Sequence, residues 1–285
     1  MNRVRSGISR RKFLAGVALG VVGLPIYARW VEPRWLGLSR RTIAVSGATN
    51  RPPLTILHLS DFHASEVVGL DYIARAIRLG LGQRPDLICV TGDFITGRYT
   101  EPDRYAEVLS GLARAAPCFA CLGNHDGGFW ARAAHGYADT TWIRGVLVRS
   151  GIRLLHNSSA ALEVGGWRLQ LVGVGDLWAE ELAPGTAFAG VEAGSDRTTI
   201  VLCHNPDGKD QLQSHAWQVM LCGHTHGGQL ALPWIGTPFA PVTDQRFVEG
   251  LHRWDQRWIH ITRGVGNVYG FRFNCRPEIS LVTMV

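Results

Sequence analysis

From residue 54 onward the chain repeats one pattern: an apolar run of four to eight residues ends in Gly, Asp, His or Asn, and a stretch with helical spacing follows. Short runs bounded by turn residues read as buried strands, and apolar positions three and four apart read as one helix face. The pattern predicts strands at Thr55–Ser60, Leu87–Thr91 and Pro117–Leu122, with helices at Leu70–Gly82 and Arg104–Ala115 between them. Trp130–Ser150 is partly helical in its spacing. Arg153–His156, Ala160–Val164 and Arg168–Val174 read as strands, the last two joined by a turn at Gly165-Gly166. Thr199–Cys203 and Gln218–Leu221 flank a short helix at Asp207–Ser214, and Phe247–Leu251, Arg257–Thr262 and Glu278–Val285 alternate as closing strands. Alternating strands and helices followed by strand-rich stretches predict an α/β architecture with a second sheet.

A chain of 285 residues with ordinary apolar and charged fractions is expected to form one globular body. Its formal charge of +6 is unevenly placed. Residues 1–41 carry nine Arg or Lys and one Glu, which leaves a net −2 for residues 42–285. A polynucleotide-binding surface needs a cationic track to neutralise phosphates, so no nucleic-acid partner is expected.

The basic excess belongs to Ser9-Arg10-Arg11-Lys12-Phe13-Leu14, which leads directly into an apolar run from Phe13 to Tyr27. A charged leader before a moderately hydrophobic stretch is the form of an export signal. This one resembles the twin-arginine signal of bacteria. Fifteen apolar residues are short of the roughly 20 that cross a bilayer. Residues 1–30 are therefore read as a signal or membrane tether, with the twin-arginine export machinery as partner and a periplasmic or membrane-tethered location. The cytoplasmic membrane face is the alternative, and signal cleavage stays open. Residues 31–53 read as a linker with one strand at Thr42–Ser46, and residues 54–285 as the catalytic domain.

Six cysteines lie mostly within apolar runs, which predicts buried thiols. Cys118 and Cys121 form a C-x-x-C, yet residues three apart in a strand point to opposite faces, which argues against a chelate.

Five short motifs fall at predicted strand ends: Asp61-Phe62-His63, Gly92-Asp93, Gly123-Asn124-His125-Asp126, His204, and Gly223-His224-Thr225-His226. They supply carboxylates, imidazoles and an amide oxygen without thiolate, which suits hard or borderline divalent cations. Asp61 and His63 alternate, so a strand end can aim both at one ion. Asp93 is the candidate bridge between two cations. His125 is the candidate general acid for the leaving group, and Asp126 a candidate partner holding that imidazole oriented. Taken singly, a G-D pair or a lone His is weak evidence, because such residues are common in cores. His58, His135, His156, His215, His252 and His260 lack motif neighbours and read as structural or surface residues.

The order of these motifs resembles the calcineurin-like metallophosphoesterases. Gly173-Val174-Gly175-Asp176-Leu177-Trp178, His204-Asn205-Pro206-Asp207, the run Leu221 to Gln229, Arg263-Gly264-Val265-Gly266, and Phe273 to Glu278 further resemble the YaeI/YkuE group of bacterial phosphodiesterases. The resemblance implies a four-layer sandwich of two mixed β-sheets flanked by helices. It implies two divalent metal ions (Mn, Fe or Zn), the first held by Asp61, His63, Asp93 and His226 and the second by Asp93, Asn124, His204 and His224. A hydroxide bridging them would attack a phosphodiester in line, with a small-molecule or lipid-linked substrate. Alternatives are a UDP-2,3-diacylglucosamine-type pyrophosphohydrolase of lipid A synthesis, and a non-catalytic metal-site scaffold that binds protein partners.

Arg263, Arg272 and Arg276 suit phosphate by geometry, but structural ion pairs are the expected use, and Asp176 has no assigned role. Phe129, Trp130, Trp178, Trp234-Ile235 and Phe239 follow site motifs. Packing is their expected use, with an acyl chain or a bilayer as the alternative.

Overall fold

A computed structural model describes Arg10 and residues 22–45, 51–191 and 196–285. Apart from Arg10, the Ser9–Leu14 motif lies outside the described residues. Among the described residues twelve strands form two six-stranded sheets. The first sheet has the order β1 (Gly37–Ile43), β12 (Glu278–Met284), β2 (Leu54–Leu59), β3 (Leu87–Thr91), β4 (Cys118–Cys121) and β5 (Arg153–Leu154). The second has the order β10 (Gly250–Trp254), β11 (Arg257–Ile261), β9 (Val219–Cys222), β8 (Thr198–Leu202), β7 (Trp167–Gly173) and β6 (Ser158–Val164). Parallel β2 to β5 run beside antiparallel β12, and parallel β7, β8, β9 and β11 are flanked by antiparallel β6 and β10. Both sheets are therefore mixed.

The inner faces meet through one apolar layer that includes Ile56, Leu87, Phe119, Leu169, Ile200, Leu221 and Val282. Burial on both faces explains why Leu87–Val90 of β3 and Ile200–Leu202 of β8 read as continuous apolar stretches rather than alternating ones. Helices α1 (Leu70–Leu81), α2 (Pro102–Ala115) and α4 (Thr141–Ser150) cover the outer face of the first sheet. α1 turns Leu70, Ile73, Ala76 and Ile77 inward, the three-and-four spacing that made it legible. α2 starts on Pro102, where a missing N–H costs no helix bond. α3 (Phe129–Ala133) and α5 (Pro184–Phe188) are short. Phe188, Leu212, Trp217 and Phe247 form part of a third apolar cluster over the second sheet. The four layers expected from the sequence are present.

Three departures from the sequence reading have physical causes. The strand expected at Thr42–Ser46 within the linker instead spans Gly37–Ile43 and pairs in parallel with β12 along its whole length. Its exposed Arg40 and Arg41 mask the strand pattern at this sheet edge. The strand expected from Phe247 begins at Gly250, because the Asp244 carboxylate accepts the Arg246 N–H, caps a single 3₁₀ turn and lets Phe247 drop into the core. The helix expected at Asp207–Ser214 shortens to a 3₁₀ turn at Pro206–Asp210. All six cysteines are free and buried, and Cys118 and Cys121 face different cores, which separates their thiols.

Candidate metal centre and active site

All five motifs converge at the C-terminal edges of the parallel strands, where the loops of an α/β sheet gather. β2 delivers Asp61 and His63, β3 delivers Asp93, and β4 delivers Asn124 and His125. From the second sheet, β8 delivers His204 and β9 delivers His224 and His226. The seven predicted ligands are buried, whereas His125 is half-buried and lines a cavity of about 220 Å³ together with Asp93, Asn124, His224 and His226.

The backbone is strained where these residues sit. Asp61, His63, Asp93, His224 and His226 all adopt positive φ, between 48° and 69°. Such conformations cost energy in non-glycine residues and persist where surrounding structure enforces them, commonly at functional sites. Close approach enforces them here. A Cβ at Gly223 would overlap Ser60 Oγ and Asp61 Oδ2, and one at Gly123 would overlap the Asp93 carboxylate. The loops from the two sheets can interleave only without those side chains.

Among the described residues three groups result, Asp61 with His63 and His226, Asp93 with His204 and His224, and His63 with Asp93 and His125, the candidate ligand atoms in each lying within 4.8 Å of one another. Asp93 links them: its Oδ2 lies 3.1 Å from His204 Nε2 and 3.4 Å from His63 Nε2. His63 Nε2 and His226 Nε2 approach to 3.0 Å, and His226 Nε2 lies 3.4 Å from Asp61 Oδ1. Asn124 Oδ1 and His224 Nε2 are buried without a hydrogen-bond partner. Buried polar atoms in native cores are nearly always paired, so two orphan lone-pair donors beside facing carboxylates are a donor set built for cations. The residues present fit a pair of divalent ions.

Groups behind the ligands fix their orientation, a role that sequence reading missed. His204 Nδ1 donates to the Thr91 carbonyl at 2.6 Å, which aims Nε2 at Asp93. His63 Nδ1 pairs with Thr96 Oγ1 at 2.7 Å. Arg272, fully buried, places Nη2 3.2 Å from His226 Nδ1 and donates to the carbonyls of Arg263 and Cys275. Arg263 pairs with Glu249 and Glu278, while Arg276 donates to the carbonyls of Trp35 and Leu36 and lies over the Trp35 ring. All three arginines therefore make structural contacts, only Arg263 through carboxylates.

Asp126 departs from its expected role. Its carboxylate accepts the backbone N–H groups of Phe94 (2.7 Å), Gly123 (2.9 Å) and Ile95 (3.3 Å), not the His125 imidazole. Neighbouring side chains on this turn diverge, so Asp126 ties the Asp93 loop to the Asn124 loop. Asp176 Oδ1 accepts the N–H groups of Trp178 and Ala179 and so shapes the turn that sets the Trp178 ring edge-on to His224, 4.4 Å between centroids.

Charge follows from these surroundings. Burial pushes the Asp61 and Asp93 carboxyls up, but the facing imidazoles, His226 for Asp61 and His204 for Asp93, hold both well below the usual range. Burial opposes charge on His204, yet Asp93 raises it well above the ordinary imidazole value. Burial lowers His224 to about 3 and His125 to about 4, with Asp93 pulling His125 the other way. Burial, with help from Asp93, pushes Asp126 up to about 8. Two ionised carboxylates thus face a protonated His204 and the neutral rings of His125, His224 and His226.

Fold and site together define a metallohydrolase of the α/β sandwich type, and the calcineurin-like phosphoesterase family matches residues 54–228. The chain belongs to that family and is a phosphoric ester hydrolase. It is 42% identical to phosphodiesterase YaeI of Escherichia coli, over 98% of this chain and 100% of that one. It is 29% identical to metallophosphoesterase YkuE of Bacillus subtilis, over 97% and 98% of the two chains. It is 28% identical to UDP-2,3-diacylglucosamine pyrophosphatase LpxG of Chlamydia trachomatis, over 90% and 92%.

Proposed function

We propose that the protein is a divalent-metal-dependent phosphodiesterase using two cations, with Asp61, His63, Asp93 and His226 as one ligand set and Asp93, Asn124, His204 and His224 as the other. The observation that carries this reading is the pair of unpartnered buried donors, Asn124 Oδ1 and His224 Nε2, beside the shared carboxylate of Asp93. Bound there, Mn²⁺, Fe or Zn²⁺ would supply an activated water and neutralise the charge that builds on phosphorus oxygens. The chain's own part is positional. Thr91 and Thr96 hold two of the imidazoles, and of the cavity-lining imidazoles His125, His224 and His226 it is His125 that is exposed enough to meet a scissile phosphate.

His125 is the general acid in this reading. Its backbone N–H donates to Asp93 Oδ1 at 2.9 Å and its ring meets Trp130 edge-on, 4.4 Å between centroids. An imidazole lowered to about 4 rests neutral at pH 7, so its proton must be taken up with the negative charge of the substrate and passed to the departing alkoxide. A nucleotide-linked lipid pyrophosphate is the second reading, favoured by the apolar residues around the site and the likeness to LpxG. Export by the twin-arginine route, to the periplasm or a membrane-tethered position, completes the proposal. Residues Arg10-Arg11-Lys12 and the apolar run after them support it.

Hydrolysis of a phosphodiester and a phosphomonoester, side by side with Mn²⁺, Zn²⁺, Mg²⁺ or no metal, tests the proposal. Preferential, metal-dependent cleavage of the diester is expected. Metal-independent turnover, or none with any metal, would contradict it. A C-terminal reporter active only in the cytoplasm would overturn the export route and favour the second reading.

A further inference from the structure

The stretch Gln229–Thr243 contains no ionisable side chain, yet it is exposed beside the cavity. Within it Leu232 and Gly236 pair as a tight hairpin, closed by Leu232 N–H to Gly236 O at 2.8 Å and Gly236 N–H to Leu232 O at 2.9 Å. Trp234 occupies the tip at φ 63°, a strained conformation for a bulky residue, and its side chain is fully exposed. Ile235 and Phe239 are 70% and 69% exposed, and Tyr269 across the cavity mouth is 70% exposed. The expectation that the large apolar residues beside the site motifs pack is therefore corrected at Phe129, Trp234, Ile235 and Phe239. Strain that holds an indole out in water, in an uncharged loop, points to a surface that becomes covered.

The occupant follows from what lies next to the hairpin. The backbone of the hairpin's base is zipped to Phe273, through Ala231 N–H to Phe273 O at 2.9 Å and Phe273 N–H to Gln229 O at 3.0 Å. The same short segment holds the leader-proximal chain: Arg272 N–H donates to Ala28 O at 2.8 Å, and the buried Glu32 carboxylate accepts the N–H groups of Asn274 and Cys275. Arg29 Nη1 donates to Gly270 O at 2.9 Å. Helical residues 22–31, so anchored, leave Val22, Leu24, Ile26, Trp30 and Val31 exposed. In the sequence they continue the apolar run that begins at Phe13.

We infer that the Leu232–Gly236 hairpin and the helical segment 22–31 form a two-part anchor that seats the mouth of the active-site cavity on the surface of a lipid bilayer. Trp234 and Ile235 enter the interfacial layer, the place where an aromatic ring with an apolar body and a polar N–H is most stable. A five-residue hairpin carrying an exposed Trp and Ile at its tip suits contact at the interface. Apolar insertion carries the hairpin's share of the binding, which resists salt, while the basic residues of 1–41 add a share that salt screens. The inference does not depend on the metal assignment.

The test uses the full chain carrying Ile235→Cys, labelled with an environment-sensitive dye, because all six native thiols are buried. It is mixed with vesicles of phosphatidylcholine containing a minority of phosphatidylglycerol. A blue shift with quenching by bilayer-embedded quenchers, kept at high salt, is expected. Adding Trp234→Ser should reduce the shift by about tenfold in vesicle affinity, while turnover of a small soluble phosphodiester stays within about twofold of wild type. A dye that stays aqueous while the protein is vesicle-bound would overturn the inference, since the leader alone would then be the tether. A shift that appears without vesicles as protein concentration rises would overturn it in favour of a second copy of the chain.

Discussion

The sheet of β1 to β5 and β12 delivers both carboxylates, the Asn124 amide, His63 and His125 to the cleft, whereas the sheet of β6 to β11 delivers only imidazoles, His204, His224 and His226. One side thus brings anionic charge and the other brings imidazoles, of which His204 is held charged by Asp93 and His224 and His226 are neutral. Neither can hold two cations alone. The His224 N–H donates to Asp61 Oδ1 at 3.1 Å, so the ligand shell is also a seam between the sheets, closed beneath by the shared apolar layer. Site and fold are therefore coupled: what opens the seam would also scatter the proposed ligands, and what removes a charge from the first sheet leaves the second sheet's imidazoles without a counterpart.

Asp93→Ala breaks this division most severely, because Asp93 faces imidazoles from both sheets. Bound metal by elemental analysis and diester turnover should both fall to background. Gly223→Ala attacks the seam, since its methyl would meet Ser60 and Asp61. It should lower the thermal midpoint and metal content together, with a cost on the order of 1–3 kcal/mol for overpacking. His125→Ala should leave metal content and midpoint near wild type and lower the rate by about 10²–10⁴-fold, less for an aryl leaving group that needs no proton. Loss of both metals in that variant would contradict the acid role. Thr96→Val removes the partner of His63 Nδ1 and should weaken metal binding by about 10–100-fold, read by titration.

Acid stability gives the smallest contrast. His58 Nδ1 and His260 Nδ1 meet at 2.9 Å between the sheets, both rings fully buried. Burial lowers His260 to about 4 from an ordinary 6.5, and lowers His58 well below that value. Between pH 6.5 and about 4 the unfolded chain takes up protons that the folded chain refuses, so stability falls as pH drops through that window. The contribution is on the order of 1–3 kcal/mol. Denaturant midpoints at the two ends of the window should differ less in His260→Phe than in wild type.

Much of this was legible because each ligand motif is local. Asp61-x-His63 and Gly223-His224-Thr225-His226 carry their own turn residues, and the apolar run before each announces the strand that positions it. What stayed hidden depends on contacts across the chain. Thr96 reaches His63 over 33 residues and Arg272 reaches His226 over 46, and neither residue type is distinctive. Asp126 was misread because adjacency in G-N-H-D suggested contact, while the backbone turns its carboxylate toward three N–H groups instead. β1 was shortened and shifted because an edge strand with exposed arginines shows little alternation. The exposed Trp234 could be suspected from an uncharged loop, but only the hairpin shows that nothing in the described chain covers it.

The central claim is that two cations share Asp93 and that both are needed for turnover. Calorimetric titration of Mn²⁺ into chelator-stripped wild-type protein, with diester hydrolysis assayed at each point, measures it directly. Two equivalents should bind and activity should rise only as the second site fills. Full activity in the stripped protein, or saturation of activity at one equivalent with no second binding event, would contradict it.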